Sequence, residues 1–142
     1  MKQILVAVDE HPHAEQIVDS AIQLARAMSA RILLIYVVEA SSVPDRYRDE
    51  HGDALPEHYY DDQFKRAMIP LMKRIEKAGI EYEGVPAAGN PEKEILRVAK
   101  SEDVNYIIVG ARGLRGLRRL KAISSVSRNI IENSHVPVIA VP

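Results

Sequence analysis

The chain has 142 residues, a formal net charge of −1 at pH 7 and no cysteine, and we expect a single domain, 1–142. This composition excludes disulfides, thiolate metal sites and a cysteine nucleophile, and it does not favour nucleic-acid binding. No apolar run reaches the roughly 18 residues of a membrane span. Because Met1-Lys2-Gln3 leads straight into a strand pattern without a signal-peptide core, we expect a cytoplasmic protein with no membrane partner.

The first half of the chain alternates between strand and helix patterns. Continuous apolar runs at 4–8 and 32–38 are typical of strands buried on both faces. Between these runs, apolar residues recur at helical spacing from Ala14 to Met28, after Pro12. The polar stretch 40–56 has no apolar period, and we interpret it as a mobile connection.

The second half continues the alternation. A helix is predicted over 57–78, where Pro70 should introduce a kink and Gly79 should form the C-terminal cap. A third strand is predicted at 80–88 and is followed by a helix at 92–101 and a strand at 106–109. A last helix at 125–133 and a last strand at 136–141 complete the pattern. This pattern favours a doubly wound α/β fold with a parallel sheet.

Two residues stand where a ligand would bind in such a sheet. Ligands occupy the crevice beyond the carboxyl ends of the strands, where the strand order reverses. Asp9 follows the first strand and Gly110 follows the fourth, so both border one crevice if these strands are neighbours. Asp9 could instead cap its own loop, but we favour a ligand role for a carboxylate at this position.

The segment from Gly110 to Ser127 has the features of a phosphate-binding loop. Gly110 and Gly113 let backbone N–H groups approach an anion closely. Ser124, Ser125 and Ser127 stand at the start of a helix, where unpaired N–H groups and the positive end of the dipole attract anions. A surface turn with capping serines is the alternative interpretation.

Other polar residues near this loop allow several interpretations. A basic cluster would neutralise a triphosphate, bind an anionic partner or form a solvated loop face; it comprises Arg112, Arg115, Arg118, Arg119 and Lys121. His11 and His13 lack the supporting ligands of a metal site, so we expect a solvated pair and no metal held by the protein. No catalytic motif is present, so we expect ATP hydrolysis or self-phosphorylation to be very slow or absent.

Five segments together make this chain resemble the universal stress protein family over nearly its whole length. They are 4–9, 89–91, 107–113, 125–127 and 136–141, with the sequences ILVAVD, GNP, IIVGARG, SVS and VPVIAV. The resemblance implies an open five-stranded sheet of strand order 3-2-1-4-5, with the first and fourth strands side by side. It also implies a role in the stress response and a homodimer, commonly paired through the C-terminal strand Val136–Val141.

The family includes members that bind ATP and members that do not. The binding pattern is Gly, two residues, Gly, nine residues, Gly, then Ser or Thr. Gly110 and Gly113 match it, but Ser124 replaces the third glycine and the loop 114–123 is one residue longer. A serine at positive φ would cost on the order of 1–2 kcal/mol. The alternative is therefore a nucleotide-free interaction module that acts through its dimer, the 40–56 connection and an unidentified protein partner.

The resemblance also assigns residues to an adenine-nucleotide site, for ATP or another adenine nucleotide. Asp9 would face the ribose, Ala7 and Val8 would line the adenine side, and the Val37 backbone would bond to the adenine edge. Arg112 would cover the ligand, and Mg²⁺ would bind through the phosphates. The remaining residues would hold the phosphates through N–H and hydroxyl groups: Gly110, Gly113, Ser124, Ser125, Val126 and Ser127.

Overall fold

The computed structural model describes residues 1–9, 12–39, 57–111 and 124–142. These residues form a sheet of parallel strands with helices on both faces. Within these ranges the strands are β1 Lys2–Val8, β2 Ala30–Val38, β3 Tyr82–Ala88, β4 Tyr106–Gly110 and β5 Val138–Val141. The helices are α1 Ala14–Met28, α2 Glu57–Lys77, α3 Pro91–Ser101 and α4 Ser125–Asn133. None of these helices has the length and apolar composition needed to cross a membrane.

The strand order is β3-β2-β1-β4-β5, which confirms the expected doubly wound sheet. β1 pairs in parallel with both β2 and β4, so Val6 lies opposite Leu34 on one side and Ile108 on the other. The chain moves outward from β1 to β3 and then crosses back to β4. The order therefore reverses between β1 and β4, which confirms that the first and fourth strands are neighbours.

Two hydrophobic layers cover the sheet, and β1 contributes alternately to each. Ile4, Val6 and Val8 pack into the layer formed with α1 and α2. Leu5 and Ala7 belong to the opposite layer, formed with α3 and α4. Because both faces are covered, alternation of side chains along the strand still produces a continuous apolar run.

Two helix ends have local caps, of which the sequence predicted the one at Gly79. Gly79 has a φ of +75° and donates its N–H to Glu76 O at 2.9 Å, as a C-terminal cap requires. Asn90 Oδ1 accepts the Lys93 N–H at 3.0 Å, and Pro91 is the first residue of α3. Pro70 lies inside α2, where the kink stays a prediction.

Two strands begin later than their apolar patterns predicted. β3 begins at Tyr82 instead of residue 80, because the Ile80 N–H still donates to Ile75 O at 3.4 Å in the cap of α2. β5 begins at Val138 instead of residue 136, because the Val136 N–H donates to Ser134 Oγ at 3.1 Å in the preceding turn. Local hydrogen bonds therefore shorten both strands at their amino ends.

A bidentate ion pair joins the two helices on the α1 and α2 face. Arg74 donates from Nε and Nη2 to the Asp19 carboxylate at 2.6 and 3.0 Å. These hydrogen bonds lower the pKa of Asp19 below its usual value. Both side chains are exposed, so the pair aligns the helices and adds little to stability.

Candidate functional site

The candidate site lies at the carboxyl ends of β1 and β4. Asp9 directly follows β1, and Gly110 is the last residue of β4. The last pair between these strands is Val6 with Ile108, so Val8 and Gly110 each lie two residues beyond that pair. Asp9 and Gly110 therefore border the same crevice, at the point where the strand order reverses.

Asp9 presents a shielded acceptor at this crevice. The residue is half-buried, and its Oδ2 atom is buried completely. A carboxylate oxygen in such a place is held in a low-dielectric setting, where hydrogen bonds and charge interactions are stronger than in bulk water. Asp9 is thus suited to accept hydrogen bonds from hydroxyl groups of a bound molecule.

The apolar candidates are divided between the two faces of the sheet. Ala7, Val37 and Val126 are half-buried and pack on the α3 and α4 face. Val8 is 8% exposed and packs into the α1 and α2 layer. Since neighbouring strand residues point to opposite faces, the Val8 side chain cannot share a wall with Ala7.

Ser124 is the N-cap of α4. Its φ and ψ are −63° and 155°, and its Oγ accepts the Ser127 N–H at 3.1 Å. Its own N–H donates to Ala111 O at 3.0 Å. The strain expected for a serine at positive φ is therefore wrong here, because an N-cap residue has an extended backbone that serine adopts readily.

Ser127 anchors the same helix to the sheet. It is 3% exposed, and its hydroxyl donates to the Gly110 carbonyl oxygen at the end of β4. The Ser124 hydroxyl in turn donates to Ser127 Oγ at 2.9 Å. We call this arrangement of the Ser124 hydroxyl, the Ser127 hydroxyl and the Gly110 carbonyl the serine latch. The Ser127 hydroxyl is therefore used inside the protein.

Two backbone donors remain at the start of α4. The Ser127 N–H bonds to Ser124 Oγ and the Arg128 N–H to Ser124 O. The N–H groups of Ser125 and Val126 are the first two of the helix and have no acceptor within it. No acidic residue occupies the first turn, so no carboxylate of that turn competes for these donors. We call the Ser125 and Val126 N–H groups the anion seat.

Ala111 is a residue that the sequence analysis missed. Its N–H donates to Val141 O at 2.8 Å, and its carbonyl accepts the Ser124 N–H. It thereby connects the end of β5 to the N-cap of α4. A small residue after a strand carries no sequence signal for this role, which depends on backbone groups alone.

Several predicted residues lie outside the described part of the chain. They are His11, Arg112, Gly113 and the remaining basic cluster, together with the 40–56 connection and the loop 114–123. His13 is described and is half-buried, with Nε2 3.4 Å from Val141 O, and its pairing with His11 stays a prediction. Among the described residues, no group of three or more His, Cys, Asp or Glu side chains is arranged to hold a metal ion.

Comparison with known proteins identifies the family. The sequence model of the universal stress protein family matches residues 1–142. The chain belongs to the universal stress protein family. Universal stress protein YxiE of Bacillus subtilis is 30% identical, with 98% of this chain and 97% of the relative covered. The solved structure of MJ0577, a universal stress protein of Methanocaldococcus jannaschii, is 25% identical, covers 99% of this chain and 94% of its own, and has a TM-score of 0.81.

Solved members with the same fold include complexes with adenine nucleotides. The universal stress protein of Archaeoglobus fulgidus in complex with dAMP is 23% identical, with 100% and 98% of the chains covered and a TM-score of 0.72. A universal stress protein in complex with cAMP is 21% identical over 99% and 97% of the chains, with a TM-score of 0.76. A member from Arabidopsis thaliana with AMP bound is 17% identical over 99% and 91%, with a TM-score of 0.69. At these identities the likeness establishes the fold.

Proposed function

We propose that this universal stress protein binds an adenine nucleotide in the crevice between β1 and β4 and acts as a nucleotide-dependent regulatory module in a stress response. One observation carries the proposal. The two N–H donors of the anion seat, which have no acceptor within their own helix, begin a helix that is fixed to the end of β4, and the half-buried Asp9 follows the neighbouring strand. N–H donors that can bind an anion and a shielded carboxylate, both at the carboxyl ends of neighbouring strands, suit a sugar phosphate.

Each part of an adenine nucleotide has a complementary group in this arrangement. The phosphate accepts hydrogen bonds from the Ser125 and Val126 N–H groups, where the helix dipole favours negative charge. The Asp9 carboxylate accepts hydrogen bonds from the ribose hydroxyls. The adenine ring packs against Ala7 and Val37, which are half-buried on one face of the sheet. The Val37 backbone supplies hydrogen bonds to the base edge.

The choice of adenine as the base is supported by relatives of the same fold. Their bound dAMP, cAMP and AMP share adenine, a five-membered sugar and one phosphate. We extend the proposal to ATP, with Mg²⁺ bound through the phosphates in place of a protein cage. Gly110 and Gly113 would then border the longer phosphate chain, and Arg112 would cover it. No catalytic residue is assigned.

The nucleotide-free alternative was based partly on backbone strain, which was expected because Ser124 replaces the third glycine of the binding pattern. That argument required positive φ at Ser124, whereas Ser124 has a φ of −63° and caps the helix with its side chain. The Ser125 and Val126 N–H groups stay available with serine at this position. The nucleotide-binding interpretation is therefore the better supported of the two.

The test is direct binding by the purified, nucleotide-stripped protein. Isothermal titration calorimetry and thermal unfolding would be measured with adenosine, AMP, ATP and GTP, with and without Mg²⁺. A ligand present at 100 times its Kd stabilises the native state by about 2.7 kcal/mol, so the adenine nucleotides should raise the Tm. GTP should give a much smaller shift. Absence of heat and of a Tm shift with saturating AMP and ATP would contradict the proposal.

We also propose a homodimer formed through β5, because the two edges of the sheet differ. On β5, the Pro137 and Val141 carbonyls accept hydrogen bonds from β4 or the residue after it. Alternation along the strand then directs the N–H and C=O groups of Val138 and Ala140 away from the sheet. At the opposite edge, β3 contains Pro86, which lacks a donor and discourages strand addition. Edge-to-edge pairing of two copies is therefore favoured at β5.

Ala140→Pro should convert the dimer to a folded monomer at micromolar concentration. Proline removes an outward-directed N–H and keeps every hydrogen bond between β4 and β5, so the fold should survive. The molar mass would be measured by light scattering after size exclusion, and the fold by circular dichroism. The matched control is Ala88→Pro, which alters an outward-directed N–H at the β3 edge and should leave the dimer intact. A dimer that survives Ala140→Pro would contradict this assignment.

A further inference from the structure

The outer face of α2 combines basic and apolar side chains. Met68, Leu71 and Ile75 are buried and hold the inner side of this helix against the sheet. Because residues three, four or seven positions apart share one side of a helix, the exposed residues between them form a single ridge. We call this surface the α2 ridge; it comprises Arg66, Ile69, Pro70, Lys73 and Lys77.

The carboxyl half of α2 is strongly basic in a chain that is nearly neutral. The stretch 63–77 contains five basic residues and one acidic residue, whereas the whole chain has 19 basic and 20 acidic residues. Arg74 is engaged with α1, where it pairs with Asp19 and, at 3.8 Å, with Glu15. The helix dipole favours cations in the last turn, but it does not account for basic residues about three turns earlier. The four basic residues besides Arg74 are all exposed: Lys65, Arg66, Lys73 and Lys77.

Ile69 places an exposed apolar side chain near the middle of the α2 ridge. It is 43% exposed, whereas Ile75 of the same helix is fully buried. The adjacent Pro70 is exposed as well. Arg66 lies about one turn before this apolar pair and Lys73 about one turn after it. An apolar centre with a polar rim is the usual composition of a protein–protein contact surface.

The α2 ridge lies away from the surfaces proposed above for nucleotide binding and dimerisation. α2 packs against α1, β2 and β3. In the strand order β3-β2-β1-β4-β5, these two strands are at the end of the sheet opposite β5. A second copy paired through β5 therefore leaves the α2 ridge exposed.

We propose that the α2 ridge binds an acidic helical segment of a partner protein. Its three cations, Arg66, Lys73 and Lys77, span 11 residues of helix, which is about 16 Å. A partner helix with carboxylates at the same spacings of seven and four residues presents matching charges along one side. The apolar side chain between those carboxylates contacts Ile69. The inference goes beyond nucleotide binding and does not depend on it.

Two other classes of anionic partner fit the α2 ridge less well. A helix that lies in a membrane surface inserts its apolar side into the lipid. The apolar side of α2 is already buried against the sheet, so it is not available for insertion. A nucleic acid attracts proteins through an extended basic surface, whereas this chain has a net charge of −1.

The test uses a fluorescent helical peptide that carries glutamates at spacings of seven and four residues and a leucine between them. Anisotropy titrations with the nucleotide-stripped protein should show saturable binding that weakens as salt is raised, because salt screens exposed charges. The same peptide with glutamine in place of glutamate should bind much more weakly. We expect the double variant Lys73→Gln and Lys77→Gln to weaken binding of the glutamate peptide about three- to tenfold. Ile69→Ser should also weaken it.

The matched control is the double variant Lys93→Gln and Lys100→Gln. Both lysines are exposed on α3, so the control removes the same charge from the opposite face of the sheet and should leave the affinity unchanged. The inference is overturned if the glutamate peptide does not bind, or if the control weakens binding as much as the α2 variant does. Binding of phosphatidylglycerol vesicles or duplex DNA in place of the peptide would overturn it in favour of a lipid or nucleic-acid surface.

Discussion

Replacing Ile130 with alanine is expected to lower the free energy of unfolding by about 2–5 kcal/mol and to detach α4 from the sheet. Ile130 is 0% exposed and packs in the α3 and α4 layer with residues of β1 and β4. Within the nine residues of α4, the buried side chains are those of Ser127 and Ile130. Ile130 is therefore the main apolar anchor of the helix that begins with the anion seat.

The neighbouring isoleucine provides a matched control. Ile131 is 44% exposed, so Ile131→Ala should change the free energy of unfolding by less than about 1 kcal/mol. Both variants remove the same atoms from adjacent positions of one helix, and chemical denaturation would measure the two values. Similar losses for Ile130→Ala and Ile131→Ala would show that α4 is not held to the sheet as described.

Replacing Asp9 with alanine is expected to weaken AMP binding by about 10- to 150-fold. A hydrogen bond to a charged group contributes roughly 1.5–3 kcal/mol, and each 1.4 kcal/mol corresponds to a factor of ten in affinity. Asp9 is half-buried beside the end of β4. Water therefore does not provide an equivalent hydrogen-bond acceptor for the ligand when the carboxylate is removed. Asp9→Asn keeps the shape and removes the charge, so its loss of affinity should be smaller.

Calorimetry with AMP would measure the effect of Asp9→Ala. Asp103→Asn is the charge control, because Asp103 is exposed and lies in the turn before β4. This turn is at the amino end of the strand, whereas the candidate site is at the carboxyl end. Asp103 has a φ of 51°, a conformation that asparagine also tolerates, so the control should fold normally. If Asp9→Ala binds AMP as tightly as Asp103→Asn does, Asp9 has no part in the nucleotide site.

The elements of the fold could be predicted because their signals are local. Apolar runs and helical periodicity indicate which residues face the core, and both depend on neighbours a few positions away. The same holds for the predicted cap at Gly79, whose partner Glu76 lies three residues away in sequence. The strand order followed from the resemblance to universal stress proteins, since no local pattern states which strands are neighbours.

The candidate site was predicted in part. Asp9 and Gly110 follow from the rule for strand ends, once β1 and β4 are adjacent. The side of the sheet on which Val8 packs, and the contact of His13 Nε2 with the Val141 carbonyl, depend on contacts between distant segments. For this reason the sequence predicted which strand ends border the candidate site, whereas the face of the sheet on which each side chain packs could be assigned only from the structure.

The sequence by itself determined the alternating elements, the glycine and serine residues around the proposed phosphate site and the family to which the chain is similar. Only the tertiary structure decided how Ser124 and Ser127 are used. Ser124 takes the extended backbone of an N-cap, and Ser127 bonds to Gly110 across 17 residues of chain. A hydroxyl has several possible partners within reach of its own helix, and burial against β4 selects one of them.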